Sequence, residues 1–180
     1  MLRKFIVLSC LILASCASDT FQPTHDHRFT IPFSRNVDLT IWEPQEHSVQ
    51  LHSAVPRELL APGNVQVMDV WHGEVVLTDV SGKGVMVMDG IDYLDVSEGE
   101  ELCGGEHMGH SQQVRIRAYW GDYELAEDPD LSLVRIVRNS IVTDLADVRV
   151  MDQVHSALVL PGERESFNDI NRGECPYGGE

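Results

Sequence analysis

Metal-ligating side chains are densest in the segment Cys103–His110, which carries two histidines, one methionine and three glycines. His107 and His110 stand three residues apart, with Met108 between them. Imidazole is a common ligand of zinc and copper, and a thioether suits cuprous copper. The segment therefore predicts a site in which His107, His110 and Met108 hold copper or zinc on a glycine-rich loop. A stable zinc site generally uses four convergent ligands, so an exposed loop without a metal is the alternative interpretation.

The first fifteen residues have the three parts of a secretory leader. Arg3 and Lys4 supply positive charge, Phe5–Leu13 is apolar, and the small residues Ala14 and Ser15 follow. The apolar stretch is well short of the roughly 20 residues that span a bilayer. The leader is therefore expected to direct export rather than to remain as a transmembrane helix.

The end of this leader, Leu13-Ala14-Ser15-Cys16, resembles the lipobox of bacterial lipoproteins. The resemblance implies that residues 1–15 are removed and that the thiol of Cys16 carries lipid, with fatty-acyl chains such as palmitate. Ala17 and Ser18 lack the aspartate that commonly retains such proteins in the inner membrane. The resemblance thus implies the outer membrane, with the domain facing the periplasm. An ordinary leader cut near Ala17 is the alternative.

The charge balance excludes one class of partner. The chain has 13 Lys and Arg against 29 Asp and Glu, a formal charge of -16. Nucleic-acid binding is not expected, because neutralising phosphates takes clustered basic residues. Such an acidic surface is also repelled by anionic lipid headgroups, so the lipid on Cys16 is expected to hold the protein at the membrane.

Alternating apolar and polar residues recur along the chain and indicate strands. The clearest run, Gln113–Trp120, places Arg115 and Arg117 on one face and apolar residues on the other. The two arginines are expected to pair with carboxylates of this chain; pairing with an acidic partner is the alternative. Eight to ten such strands predict an all-β fold with little helix, either a single antiparallel β-sandwich or a small barrel.

Local turn signals refine this fold. The pairs His72-Gly73, Asp89-Gly90 and Gly121-Asp122 each predict a two-residue turn between strands, because glycine and aspartate tolerate positive φ. Short helical turns are predicted at Pro56–Leu60 and Glu163–Ile170.

Two further cysteines fall within the body of the chain. Cys103 and Cys175 both lie among glycines, outside the predicted core strands. In an oxidising compartment such a pair predicts a disulfide, which would stabilise the chain by about 4 kcal/mol in the chain-entropy model. Reactive or metal-bound thiols are the alternatives.

Together these features predict a leader over residues 1–15, a lipidated cysteine with a flexible spacer over 16–30, and one β-rich domain over 31–180. The sequence has no nucleophile elbow, no His-Glu-x-x-His, no phosphate-binding glycine loop and no dinucleotide fingerprint. It therefore predicts a protein that is not an enzyme. The predicted function is a non-enzymatic interaction or assembly module of the cell envelope that binds another envelope protein. The alternative is a periplasmic copper- or zinc-binding protein that uses the Cys103–His110 loop.

Overall fold

The computed structural model describes residues 28–33, 37–41, 48–121, 128–138, 141–146, 157–159 and 175–177. Three predictions lie outside these ranges: the leader with Cys16, the helical turn Glu163–Ile170, and the turn that follows Gly121.

The described part of the chain is built from strands, which confirms the all-β prediction. In chain order they are β1 (Phe29–Thr30), β2 (Val37–Ile41), β3 (Val49–Leu60), β4 (Val65–Trp71), β5 (Glu74–Asp79), β6 (Gly84–Asp89), β7 (Tyr93–Leu94), β8 (Glu101–Leu102), β9 (His107–Trp120), β10 (Val134–Arg138), β11 (Ile141–Asp144) and β12 (Ala157–Val159). A 3-10 turn, Leu131–Leu133, precedes β10.

The strands form two sheets. The larger has the order β12-β2-β3-β9-β6-β5-β4-β8, with β7 also paired to β9. Six antiparallel strands curl into a half-barrel. The smaller has the order β1-β10-β11. Neighbouring strands run antiparallel except β1 and β10, which are parallel. Phe29 and Thr30, at the end of the range predicted as spacer, form β1 and are buried, so they belong to the fold.

Strand β9 is at the centre of the larger sheet and follows the predicted alternation. Val114, Ile116 and Ala118 are fully buried, whereas Arg115 and Arg117 lie on the opposite face. β9 pairs along one edge with β3 and along the other with β6 and β7. Burial of Val114 and of Ile116 contributes about 1.5–3 kcal/mol each through the hydrophobic effect.

The apolar core extends from β9 to strands of both sheets. Its members come from β1, β3–β6, β8 and β9 and from the segment around the 3-10 turn, and they include Phe29, Phe33, Leu51, Leu59, Leu77, Met86, Met88, Leu131 and Leu133. A second, smaller cluster on the other face of the sheet consists of Val76, Val85, Val87 and Tyr119. β5 and β6 are thus buried on both faces, which explains their nearly continuous apolar sequences.

The helical turn predicted at Pro56–Leu60 is wrong, because this segment is the second half of β3. The pairing of β3 with β9 shifts register between His52 and Arg57. Pro56 lies inside this irregular stretch, where a missing backbone N–H costs no ladder hydrogen bond. The shift therefore lets one long strand accommodate a residue that otherwise signals a break.

The turn predictions have different outcomes. His72-Gly73 joins β4 to β5 as predicted, with φ of 39° and 80°, the left-handed geometry of a tight hairpin. Asp89-Gly90 does not reverse the chain. β6 and β7 both pair with β9, at Asp89↔Arg115 and Tyr93↔His110. The chain therefore continues along the same edge of β9, and the prediction of a hairpin there is wrong.

Candidate functional site

The three predicted metal ligands lie on a strand rather than on a loop. A turn closes at Cys103–Glu106, where the amide of Cys103 donates to Glu106 Oε2 at 2.8 Å, and β9 begins at the next residue, His107. His107 and His110 therefore lie within the first four residues of β9, the central strand of the larger sheet. The prediction of a glycine-rich loop is corrected to a turn followed by paired backbone.

A bulge at Gly109 brings the two imidazoles to one face. Residues three apart in a regular strand point to opposite faces. Here Leu59 pairs with Gly109 and Leu60 with His107, so β9 carries one extra residue at this step. Both histidines are exposed, and their ring centroids are 4.9 Å apart with planes inclined at 60°.

Gly109 is required for this arrangement. Its φ is +152°, and a Cβ at this position would overlap the carbonyl oxygen of Tyr93 on β7. Only glycine therefore allows β7 to approach β9 so closely where the bulge occurs.

Glu58 completes the exposed cluster. It lies opposite His110 in the register of β3 and β9, and its Oε1 is 3.1 Å from His107 Nδ1. A proton on Nδ1 satisfies this contact and leaves the Nε2 lone pair of His107 free to bind a metal. The side chains of His107 and Glu58 are 36% and 50% exposed, so the pair itself contributes at most about 1 kcal/mol to stability. Sequence analysis missed Glu58 because it assigned this residue to a helical turn.

Met108 does not belong to the exposed cluster. Its side chain is fully buried and packs in the main apolar core, on the other face of the sheet from the two imidazoles. Grouping Met108 with His107 and His110 in one site is therefore corrected. Within the described ranges, no three His, Cys, Asp or Glu side chains converge in the manner of a metal site. Copper or zinc binding stays a prediction that involves two imidazoles.

The predicted cysteine pair lies at disulfide distance. Cys103 and Cys175 are bonded, with their Cα atoms 5.4 Å apart. The bond holds residues 175–177 against the body of the domain. Burial raises the pKa of the Tyr177 phenol above its ordinary value of 10.0, and the negative charges of Glu101 and Asp79 raise it further.

Asp79 organises the turn between β5 and β6. Its Oδ1 accepts hydrogen bonds from the amides of Ser81, Lys83 and Gly84 at 3.0, 3.2 and 3.2 Å, and from the Ser81 hydroxyl at 2.7 Å. Its Oδ2 is 3.7 Å from Arg28 Nε, and the carboxylate is 5% exposed. Local donors thus satisfy Oδ1, whereas Oδ2 has a charged neighbour in Arg28 but accepts no hydrogen bond from the described residues.

The arginines of β9 pair with carboxylates of this chain, as predicted. Arg117 Nη2 is 2.9 Å from Asp89 Oδ2 and 3.4 Å from Glu74 Oε2, and Arg115 Nε is 3.7 Å from Asp89 Oδ1. These contacts cross three neighbouring strands on one face of the sheet. Their positive charges are thereby balanced within the protein.

Trp71 is the largest exposed apolar side chain among the described residues. It ends β4 beside the His72-Gly73 turn and is 67% exposed, with its ring 5.6 Å from that of His72. The register places Trp71 opposite Glu74. An indole is thus presented to solvent beside the two-residue turn of the β4–β5 hairpin.

Comparison with known proteins yields distant structural likenesses only. No protein-family model and no curated protein matches the sequence. Three solved structures of lysostaphin are similar, two of them described as the antimicrobial peptidase from Staphylococcus simulans. One, of its catalytic domain, has 10% identity and a TM-score of 0.41, and the match covers 58% of this chain and 78% of that chain. A second has 9% identity and a TM-score of 0.44, covering 71% and 55%. A solution structure has 10% identity and a TM-score of 0.43, covering 77% and 61%.

The prediction that this chain is not an enzyme is corrected by these matches, because the similar structures are those of a peptidase. The physical reason is that side chains from distant strands build a catalytic site without any short motif, so the absence of motifs excludes no enzyme. At TM-scores below 0.5 the likeness transfers neither an activity nor a residue role to this chain.

Separately, none of the described helical segments is long and apolar enough to cross a membrane.

Proposed function

We propose that this protein is an outer-membrane lipoprotein, anchored through Cys16, whose β-rich domain faces the periplasm and binds another protein of the cell envelope. The lipobox-like segment Leu13-Ala14-Ser15-Cys16 supports the anchor. The formal charge of -16 supports attachment by lipid rather than by the domain surface, which anionic headgroups repel.

Trp71 is the observation that supports a protein partner. Tryptophan is enriched among the few interface residues that dominate binding energy, where truncation costs at least about 2 kcal/mol. The hairpin fixes the backbone of Trp71 before any partner arrives, so little entropy is lost when the indole is covered. The acidity of the chain further favours a basic contact surface on the partner, with association that slows as salt increases.

The test is crosslinking from intact envelopes with the full-length, lipidated chain. Trp71→Ala is expected to weaken capture of a stoichiometric partner, with a dissociation constant raised at least about 30-fold. Val55→Ser is the matched control, because Val55 is 48% exposed on β3, away from the hairpin. If both variants recover the same partner equally, Trp71 is not part of the interface. Recovery of no partner by the wild-type chain would overturn the proposed function.

A further inference from the structure

Two imidazoles on one face of β9 have the separation of ligands that share a metal ion. A metal lies about 2.0–2.1 Å from an imidazole nitrogen, hence about 3.2 Å from the ring centroid. Two rings bound to one metal at 90–110° then have centroids about 4.5–5.2 Å apart. The observed centroid distance between His107 and His110 is 4.9 Å.

We propose that His107 and His110 form a two-histidine site for a divalent transition-metal cation, open to solvent, with Glu58 as a positioning residue. Among first-row divalent ions Cu²⁺ is expected to bind most tightly, following the general order of affinities for nitrogen ligands. The protein supplies two ligands, and water or a donor from another molecule fills the remaining positions.

The backbone makes this pair pre-organised. His110 pairs with Glu58 on one side and with Tyr93 on the other, so the strand that carries both ligands is held along both edges. The bulge at Gly109 fixes the two rings on one face. Binding therefore requires ordering of side chains alone, which lowers the entropic cost of chelation.

Glu58 determines which nitrogen of His107 faces the metal. Its contact with Nδ1 at 3.1 Å places the ring proton there and leaves Nε2 as the ligand atom. Metal-bound histidines commonly make this contact, and its loss lowers metal affinity about 10–100-fold. Glu58 thus acts through His107 and stays outside the ligand set.

The experiment titrates the full-length protein in detergent with Cu²⁺ alone at pH 7.5, by calorimetry and by electron paramagnetic resonance. The wild type is expected to bind one Cu²⁺, with superhyperfine splitting from two imidazole nitrogens. His107→Ala or His110→Ala is expected to weaken this site at least about 100-fold and to remove one nitrogen from the spectrum, a larger loss than for an outer-shell contact. Glu58→Gln is expected to weaken binding about 10-fold while both nitrogens remain.

Two control variants separate the site from other groups. His72→Asn removes an exposed imidazole at a distant hairpin, and asparagine tolerates the positive φ of 39° found there. Met108→Leu removes the buried thioether. Both are expected to bind Cu²⁺ as the wild type does. Unchanged affinity in His107→Ala and His110→Ala, in protein with a native circular-dichroism spectrum, would overturn the proposal, as would no binding by the wild type.

Discussion

Replacing Asp79 tests how the β5–β6 turn is stabilised. In Asp79→Ala, the amides of Ser81 and Lys83 lose their acceptor but belong to exposed residues, so water can replace it. Gly84 is buried, and its amide, which donates to Asp79 Oδ1 at 3.2 Å, is left without a partner. Arg28 also loses its carboxylate neighbour at 3.7 Å.

The expected cost follows from these losses. A hydrogen bond to a charged group is worth about 1.5–3 kcal/mol, and an unsatisfied buried donor costs about 1–3 kcal/mol. Counting Gly84 in full and the exposed donors as rehydrated, Asp79→Ala is expected to lower the free energy of unfolding by about 3 kcal/mol. For a chain of this length that corresponds to a Tm lowered by about 6–12 °C. Asp79→Asn keeps an oxygen acceptor and is expected to lose about 1–2 kcal/mol.

The assay is urea unfolding of the oxidised protein, followed by tryptophan fluorescence, with the slope of the transition compared between variants. Asp69→Ala is the matched control, because Asp69 is an exposed aspartate on β4. It is expected to change the free energy of unfolding by less than about 0.5 kcal/mol. If Asp79→Ala is no more destabilising than this control, the carboxylate does not stabilise the turn and the reasoning is refuted.

Four further predictions address the anchor, the bulge, the tail and the disulfide. Cys16→Ser is expected to move the protein from the membrane fraction to the soluble fraction on cell fractionation, and unchanged partitioning would refute lipidation at this residue. Gly109→Ala is expected to cost more than about 1 kcal/mol in urea unfolding, because its backbone conformation is incompatible with a Cβ; a neutral effect would contradict the close approach. Because burial raises the pKa of Tyr177 in the folded state, its contribution to stability is present below pH 10 and is lost as pH rises through the folded-state pKa. Tyr177→Phe is expected to flatten this alkaline loss, and an unaltered pH profile would contradict it. Reduction of Cys103–Cys175 is expected to destabilise the fold by about 4 kcal/mol, measured as a lower Tm with reductant; an unchanged Tm would show that the bond adds no stability.

Alternation along single strands was sufficient to predict the all-β class. In Gln113–Trp120 every second residue is apolar, and those residues face the core. The pairing of the two half-buried arginines with carboxylates was equally predictable, since a chain with 29 acidic residues offers partners on most faces. Period-2 patterning is a local property, so the sequence reveals it directly.

The arrangement of the histidine cluster depends on pairing between distant segments. Met108 follows the exposed His107 and is buried by ordinary strand alternation, whereas the bulge at Gly109 returns His110 to the face of His107. Glu58 joins His107 only through the register of β3 on β9. Asp89-Gly90 has the composition of a hairpin turn, but β6 and β7 share the same partner strand. Strand register and bulges are set by tertiary packing, which a single sequence does not display.

The central position of β9 constrains the order in which the molecule can assemble. β3, β6 and β7 all hydrogen-bond to a strand that comes after them in the chain. Until β9 has been synthesised as far as Trp120, β3, β6 and β7 lack their shared partner strand. The larger sheet cannot form before then. Such long-range pairing slows folding. Until it is complete, strands with unpaired edges stay exposed and prone to aggregation. A truncated chain ending before β9 is therefore expected to aggregate rather than to form a smaller native domain.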